Sequence, residues 1–118
     1  MNIEEFRDYC LAFPEVTESF PFDDKVLVFK VANKMFALAD VDEFRSINLK
    51  CDPERAVILR EEYPEINPGY HMNKKHWNTV EMKGELDDDF IQELITHSYD
   101  LVVASHTKKV QAQINAQR

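Results

Sequence analysis

Arg45-Ser46-Ile47-Asn48-Leu49-Lys50-Cys51-Asp52-Pro53 is the stretch that decides the fold. Residues 45–51 alternate polar with apolar, so an extended backbone puts Ile47, Leu49 and Cys51 on one face and Ser46, Asn48 and Lys50 on the other. Asp52-Pro53 is a helix opening: a carboxylate that can accept from first-turn N–H groups, then proline at the first helical position. A half-buried strand running straight into a capped helix calls for a sheet with helices packed on one side of it.

Upstream, Lys25 to Val31 and Lys34 to Asp40 are β-rich runs. Ala32-Asn33 joins them as a hairpin link, since asparagine tolerates positive φ. Before them lies a turn-rich acidic connector, Glu15 to Asp24, in which Pro21 forces Phe20 into an extended conformation. The chain starts with an amphipathic helix: Asn2 caps it, Glu5 is the reciprocal partner, Ile3, Phe6, Tyr9, Cys10 and Phe13 recur at helical spacing, and Pro14 stops it.

Downstream, the helix opened by Pro53 runs to about Tyr63, turning Ala56, Ile58, Leu59 and Tyr63 inward. Its solvated face carries Glu54, Arg55, Arg60, Glu61 and Glu62. A loop around Pro68-Gly69 leads to strands at Tyr70 to Met72 and His76 to Met82, and Lys83-Gly84 turns the chain. Asp87 caps a long helix whose buried stripe is Phe90, Ile91, Leu94, Ile95, Ser98, Leu101 and Val102. Residues 105–118 offer only Val110 and Ile114 as an apolar face, which predicts a frayed or weakly docked helical tail. The expected fold is α+β: a single domain over 1–118, two layers in the order α-β(3)-α-β(2)-α. Its five-stranded, mainly antiparallel sheet has helices on one face and leaves the other open.

With 44% apolar and 31% charged residues in 118, the composition is that of a folded globular chain. The formal charge of −8 weighs against avid, sequence-blind binding of nucleic acid, which draws its affinity from a net basic footprint. No basic region leads into a hydrophobic segment and no apolar run is long enough to span a bilayer. Cys10 and Cys51 lie far apart outside any Cys-x-x-Cys spacing, the usage of a reducing cytoplasm. Two glycines cannot build a phosphate cradle, and no nucleophile-elbow or dinucleotide motif occurs. These features predict a cytoplasmic, non-enzymatic protein without a cofactor. His71 and His76 would fall on opposite faces of one strand, and the carboxylates of Glu4, Glu5, Asp8, Asp87, Asp88 and Asp89 sit in first helical turns, where the dipole already favours them; no metal site is expected.

From Tyr70 to Lys83 three lysines face one glutamate, whereas Met1 to Asp24 holds seven acids against one arginine. An anion would be gripped in this basic stretch. The candidate contacts are Asn73, Lys74, Lys75, His76, Trp77 and Asn78, flanked by Lys34, Lys50 and Lys83: lysines toward phosphate, asparagines as hydrogen-bond donors, and Trp77, where exposed, as a stacking surface for an unpaired base. The alternative is that Trp77 and Tyr70 are core aromatics and the lysines a solvated edge. Phe20 and Phe22 either plug the sheet edge or present an apolar knob to a protein partner. The second reading requires exposure beside an unpaired strand.

Several blocks together resemble one family along nearly the whole chain. They are Thr17-Glu18-Ser19-Phe20-Pro21-Phe22, Val28-Phe29-Lys30-Val31, Lys34-Met35-Phe36-Ala37, Asn48-Leu49-Lys50-Cys51-Asp52-Pro53, the run from Pro68 through Trp77, and Ser98-Tyr99. In these the chain resembles the YjbR/MmcQ family of small bacterial proteins. The resemblance implies a two-layer fold similar to secretion-chaperone and frataxin-like proteins. It also implies weak DNA binding or a regulatory accessory role, with a chaperone-like protein-binding module using the open sheet or a strand edge as the alternative.

Overall fold

A computed structural model describes residues 1–118. The elements run α1 (Ile3–Leu11), β1 (Val16–Ser19), β2 (Val26–Val31), β3 (Lys34–Asp40), β4 (Ser46–Lys50), α2 (Pro53–Glu62), β5 (Ile66–Pro68), β6 (Trp77–Glu81), α3 (Asp88–Ala104) and α4 (Lys108–Asn115). One six-stranded antiparallel sheet results, in the order β1-β2-β3-β4-β6-β5. The expected α+β class holds, with six strands in place of five.

The two differences in the strands have physical causes. β1 falls within the expected connector because its sequence, Val-Thr-Glu-Ser, carries a single apolar residue. It is an edge strand, and Val16 opposite Val31 is the one apolar pair it needs. Tyr70–Met72, expected to be a strand, is a turn; the strand beside β6 is Ile66–Pro68, within the expected loop. Pro68 cannot donate to a ladder, a limitation that an edge position tolerates.

Local signals place the rest. Asn2 and Glu5 form a reciprocal capping box, at 2.8 Å from Glu5 N to Asn2 Oδ1 and 3.0 Å from Asn2 N to Glu5 Oε1. Asp52 Oδ2 accepts from Arg55 N at 3.1 Å and so caps α2. Ala32 and Asn33 take φ of 45° and 72°, the left-handed pair of a tight hairpin. Asp87 begins α3 but its side chain makes no cap bond; Asp88 meets the N-terminal ammonium of Met1 at 2.8 Å instead.

The core lies between the sheet and its helices, with Phe6, Phe29, Phe36, Ile95, Tyr99 and Ile114 all fully buried. Phe13 stacks on Tyr99 at 4.2 Å, and the Tyr99 hydroxyl donates to Pro14 O at 2.8 Å, fastening α3 to the end of α1. A bulge opposite Phe29/Lys30 puts an extra residue, Phe36, into β3. Ser98 Oγ donates to Phe36 O at 2.5 Å and accepts from Lys50 N at 2.9 Å, so α3 serves polar groups that the ladder leaves over. The tail expected to fray is docked: Thr107 caps α4, and Ile114 has no exposed surface. Cys10 and Cys51 are free and buried; burial pushes the Cys10 thiol well above its ordinary value and that of Cys51 up to about 11. No helix is long and apolar enough to cross a membrane.

Candidate functional site

The basic stretch forms a loop that leads into the sheet at Trp77. Gly69 N donates to Trp77 O at 2.9 Å, and Trp77 N returns to Asn73 O at 3.0 Å, so residues 69–77 close a compact loop against β6. Inside it the Asn73 carboxamide accepts from Lys75 N at 2.9 Å and from His76 N at 3.3 Å. Arg60 reaches in from α2: its Nε donates to Asn78 Oδ1 at 2.7 Å, while Nη2 donates to Trp77 O at 3.2 Å and to Lys74 O. Expected on a solvated face, Arg60 is half-buried and acts as a clamp. Ile58, expected inward, is half exposed.

The candidate contact residues therefore have separate fates. Asn73 and Asn78 hold the loop, and Asn78 is buried. Trp77 keeps only 8% of its surface and packs with Val28 and Leu38 on the helix-free face, backed by Val26, Met35 and Met72. Lys74 Nζ folds back to Gly69 O at 3.0 Å. Lys83 lies past the other end of β6 and pairs with Glu81 at 2.9 Å, which raises its pKa first through that hydrogen bond and then through the carboxylate's charge. Lys34 Nζ donates to Ser105 O at 3.0 Å. Lys75 is exposed, half-buried His76 follows it, and Lys50 stands opposite Trp77 in the β4–β6 register.

A different feature dominates the helix-free face. A cleft of about 460 Å³ opens above β3 and β4, floored by Val26, Leu38, Ser46 and Asn48 and walled by Phe22 on one side and the Tyr70–Met72 turn on the other. Its size is in the range of ligand sites, about 300–1,000 Å³. Phe22 is 65% exposed and Tyr70 69%. Both walls are anchored by short-range hydrogen bonds. Asp23 Oδ1 accepts from Lys25 N and Val26 N at 2.9 Å each, shaping the turn after Phe22, and those bonds, Val26's first, hold its carboxyl below the usual carboxylate range. Across the cleft, Tyr70 N donates to Thr79 Oγ1 at 2.9 Å, and that hydroxyl donates to the carboxamide oxygen of Asn48. Asp40 is the one carboxylate in the lining, which contains neither lysine nor arginine.

Sequence reasoning named Phe22 as a partner contact but missed Tyr70, Asp40, Ser46 and Asn48. The last two were placed on the right face by alternation; the chain that walls them in comes from loops 20–25 and 69–72, which periodicity does not position. Of the condition attached to Phe20 and Phe22, the exposure is present: Phe20 is 48% exposed, and both residues follow the edge strand β1 in the chain.

An antiparallel sheet with helices on one face and a cleft of ligand size on the other defines a two-layer α+β protein. The chain belongs to the YjbR family, whose sequence profile matches residues 11–101. It is 38% identical over 114 residues to the uncharacterized protein YbdF of Escherichia coli O157:H7, covering 94% of this chain and 92% of that one. To the uncharacterized protein YjbR of Escherichia coli K12 it is 36% identical over 104 residues, 87% of this chain and 88% of the other. The crystal structure of Deinococcus radiodurans protein DR2400 superposes with a TM-score of 0.90 at 40% identity, covering 97% of this chain and 88% of that one.

Proposed function

We propose that this protein is a non-enzymatic binding domain that takes an apolar segment of a protein partner in the cleft between Phe22 and Tyr70. The observation that carries the reading is the cleft itself: two exposed aromatic walls over the apolar floor of Val26 and Leu38, on the face no helix covers. Exposed aromatics around a small polar set are how such sites hold a partner at low entropic cost. The cleft also carries Ser46, His71 and Asp40, the residue types of a hydrolytic relay. Asp40 accepts from Asp42 N at 3.0 Å, the His71 ring lies against Tyr70 at 4.1 Å, and no hydrogen bond joins any two of the three; that separation supports a role without catalysis.

Selection of a displayed random peptide library on the wild-type protein tests this reading. Selected peptides should lose at least tenfold in affinity against Phe22→Asp and shift the backbone amide resonances of Val26, Leu38, Ser46 and Asn48. Peptides that bind the two proteins alike, or that shift other residues, overturn it.

The second reading, weak nucleic-acid binding, is favoured by one observation: Lys75 is exposed near the end of the sheet where Lys50 pairs with Trp77, and neither lysine is in an ion pair. Burial of Trp77 removes the stacking surface on which that reading leaned. Labelled single- and double-stranded DNA titrated at two salt concentrations decides it, since a phosphate-binding patch produces a salt slope of about 0.9 per contact that Lys74→Ala/Lys75→Ala flattens. Wild-type and double-mutant proteins that bind alike at low salt refute it.

A further inference from the structure

The helix-free face carries opposite charges at its two ends. Alternation along β2 puts Val26, Val28 and Lys30 on this face, and along β4 Ser46, Asn48 and Lys50. Asp40 stands opposite Val26 at one end, and Trp77 stands opposite Lys50 at the other. Asp40, Lys30 and Lys50 take part in none of the ion pairs of the molecule. Val28, Leu38 and Trp77 are buried between them, and the partly buried Met35 and Met72 packed against that cluster make the ground apolar. From Val26 to Lys30, and from Ser46 to Lys50, the strand advances about 13 Å at roughly 3.3 Å per residue.

An extended segment lying along this face has the same rise and shows every second side chain to the sheet. Its residues i and i+4 are therefore as far apart as Asp40 is from the two lysines, with i+2 over the apolar ground. We propose, resting on the protein-binding reading above, that the cleft selects an extended protein segment with a basic side chain at i, an apolar one at i+2 and an acidic one at i+4. The basic group enters between Phe22 and Tyr70 to meet Asp40, and arginine suits it best because a guanidinium also stacks on aromatic faces. The acidic group meets Lys30 and Lys50. A polyphosphate chain does not suit the face, since Asp40 opposes it at one end.

The peptides selected on wild-type protein supply the test. Among those whose binding depends on Phe22, the basic-x-apolar-x-acidic pattern should be enriched. In one such peptide, changing the basic residue to glutamine should weaken binding about three- to fivefold on wild type, the scale of a partly exposed ion pair, and have no further effect on Asp40→Asn. Changing the acidic residue should couple in the same way to Lys30→Gln/Lys50→Gln. Cleft-dependent peptides without the pattern, or losses that add without coupling, overturn the charge assignment and leave the cleft standing. An absence of cleft-dependent peptides overturns both. The enrichment and the losses on wild-type protein are read without the Asp40 and lysine variants, so the charge assignment stays testable where one of those fails to fold.

Discussion

Arg60 Nε donates to Asn78 Oδ1 at 2.7 Å, joining the outer turn of α2 to a buried carboxamide on β6. The same guanidinium serves the carbonyls of Trp77 and Lys74, so one side chain closes the base of the loop that walls the cleft. Lysine carries the charge but lacks the planar fork. Arg60→Lys should cost about 1–3 kcal/mol, the penalty for acceptors left without their donor, read by urea denaturation. Amide hydrogen exchange should quicken over residues 69–77 before it does elsewhere. Wild-type stability in this variant would show that the clamp contributes nothing.

The Ile114 side chain is wholly buried although it belongs to the C-terminal helix. Ile114→Ala should therefore destabilise the protein by about 2–5 kcal/mol, as for other buried large-to-small changes. A loss under about 0.5 kcal/mol would mean that α4 frays, as its sequence suggests.

Much of the architecture was legible because it is local. The Asn2/Glu5 capping box, the Asp52 cap, the Ala32-Asn33 turn and the alternation through Ile47, Leu49 and Cys51 each specify their geometry within a few residues. β1 was hidden because an edge strand needs only Val16 to face the core. Docking of α4 was hidden because Ile114 finds its surroundings in elements distant along the chain. The site suffered most from this limit. Lysines nine positions apart are split by β6, which sends Lys83 to the end opposite Lys74, while Phe22 and Tyr70, forty-eight positions apart by their numbers, become the two walls of one cleft.

His97 Nε2 accepts from Asp52 N at 3.2 Å at the start of α2, a bond that requires the neutral ring. Burial first, and the Arg55 cation second, hold its pKa below the ordinary 6.5, against weaker opposite pulls from Glu93, Asp52 and Asp100. With the folded value the lower one, the unfolded chain binds more protons in this window. The stabilisation is complete above about pH 6.5 and is lost as pH falls from there through the folded pKa. Melting temperatures at pH 7.5 and 5.5 should therefore drop less in His97→Gln, which keeps an acceptor but does not titrate, than in wild type. Equal drops would assign the acid sensitivity to the carboxylates.

Gly69 is buried where its loop meets β6, and a Cβ added there would lie 2.8 Å from Trp77 Cβ and 3.0 Å from both Met72 Cβ and Trp77 O. All three of those atoms are fixed by backbone position, so the turn itself must lift. Gly69→Ala should cost about 1–3 kcal/mol, as overpacking does, and should move Tyr70 and Met72 off the cleft. Gly84 is the control. It needs glycine for its φ of 84°, yet an added Cβ meets nothing within 4 Å. Gly84→Ala should lose stability through backbone strain alone, with peptide affinity and tryptophan emission unchanged. Gly69→Ala should lose affinity and red-shift the emission of Trp77 as Met72 withdraws from it. If both variants lose stability and neither loses affinity, the Tyr70 wall has no part in binding.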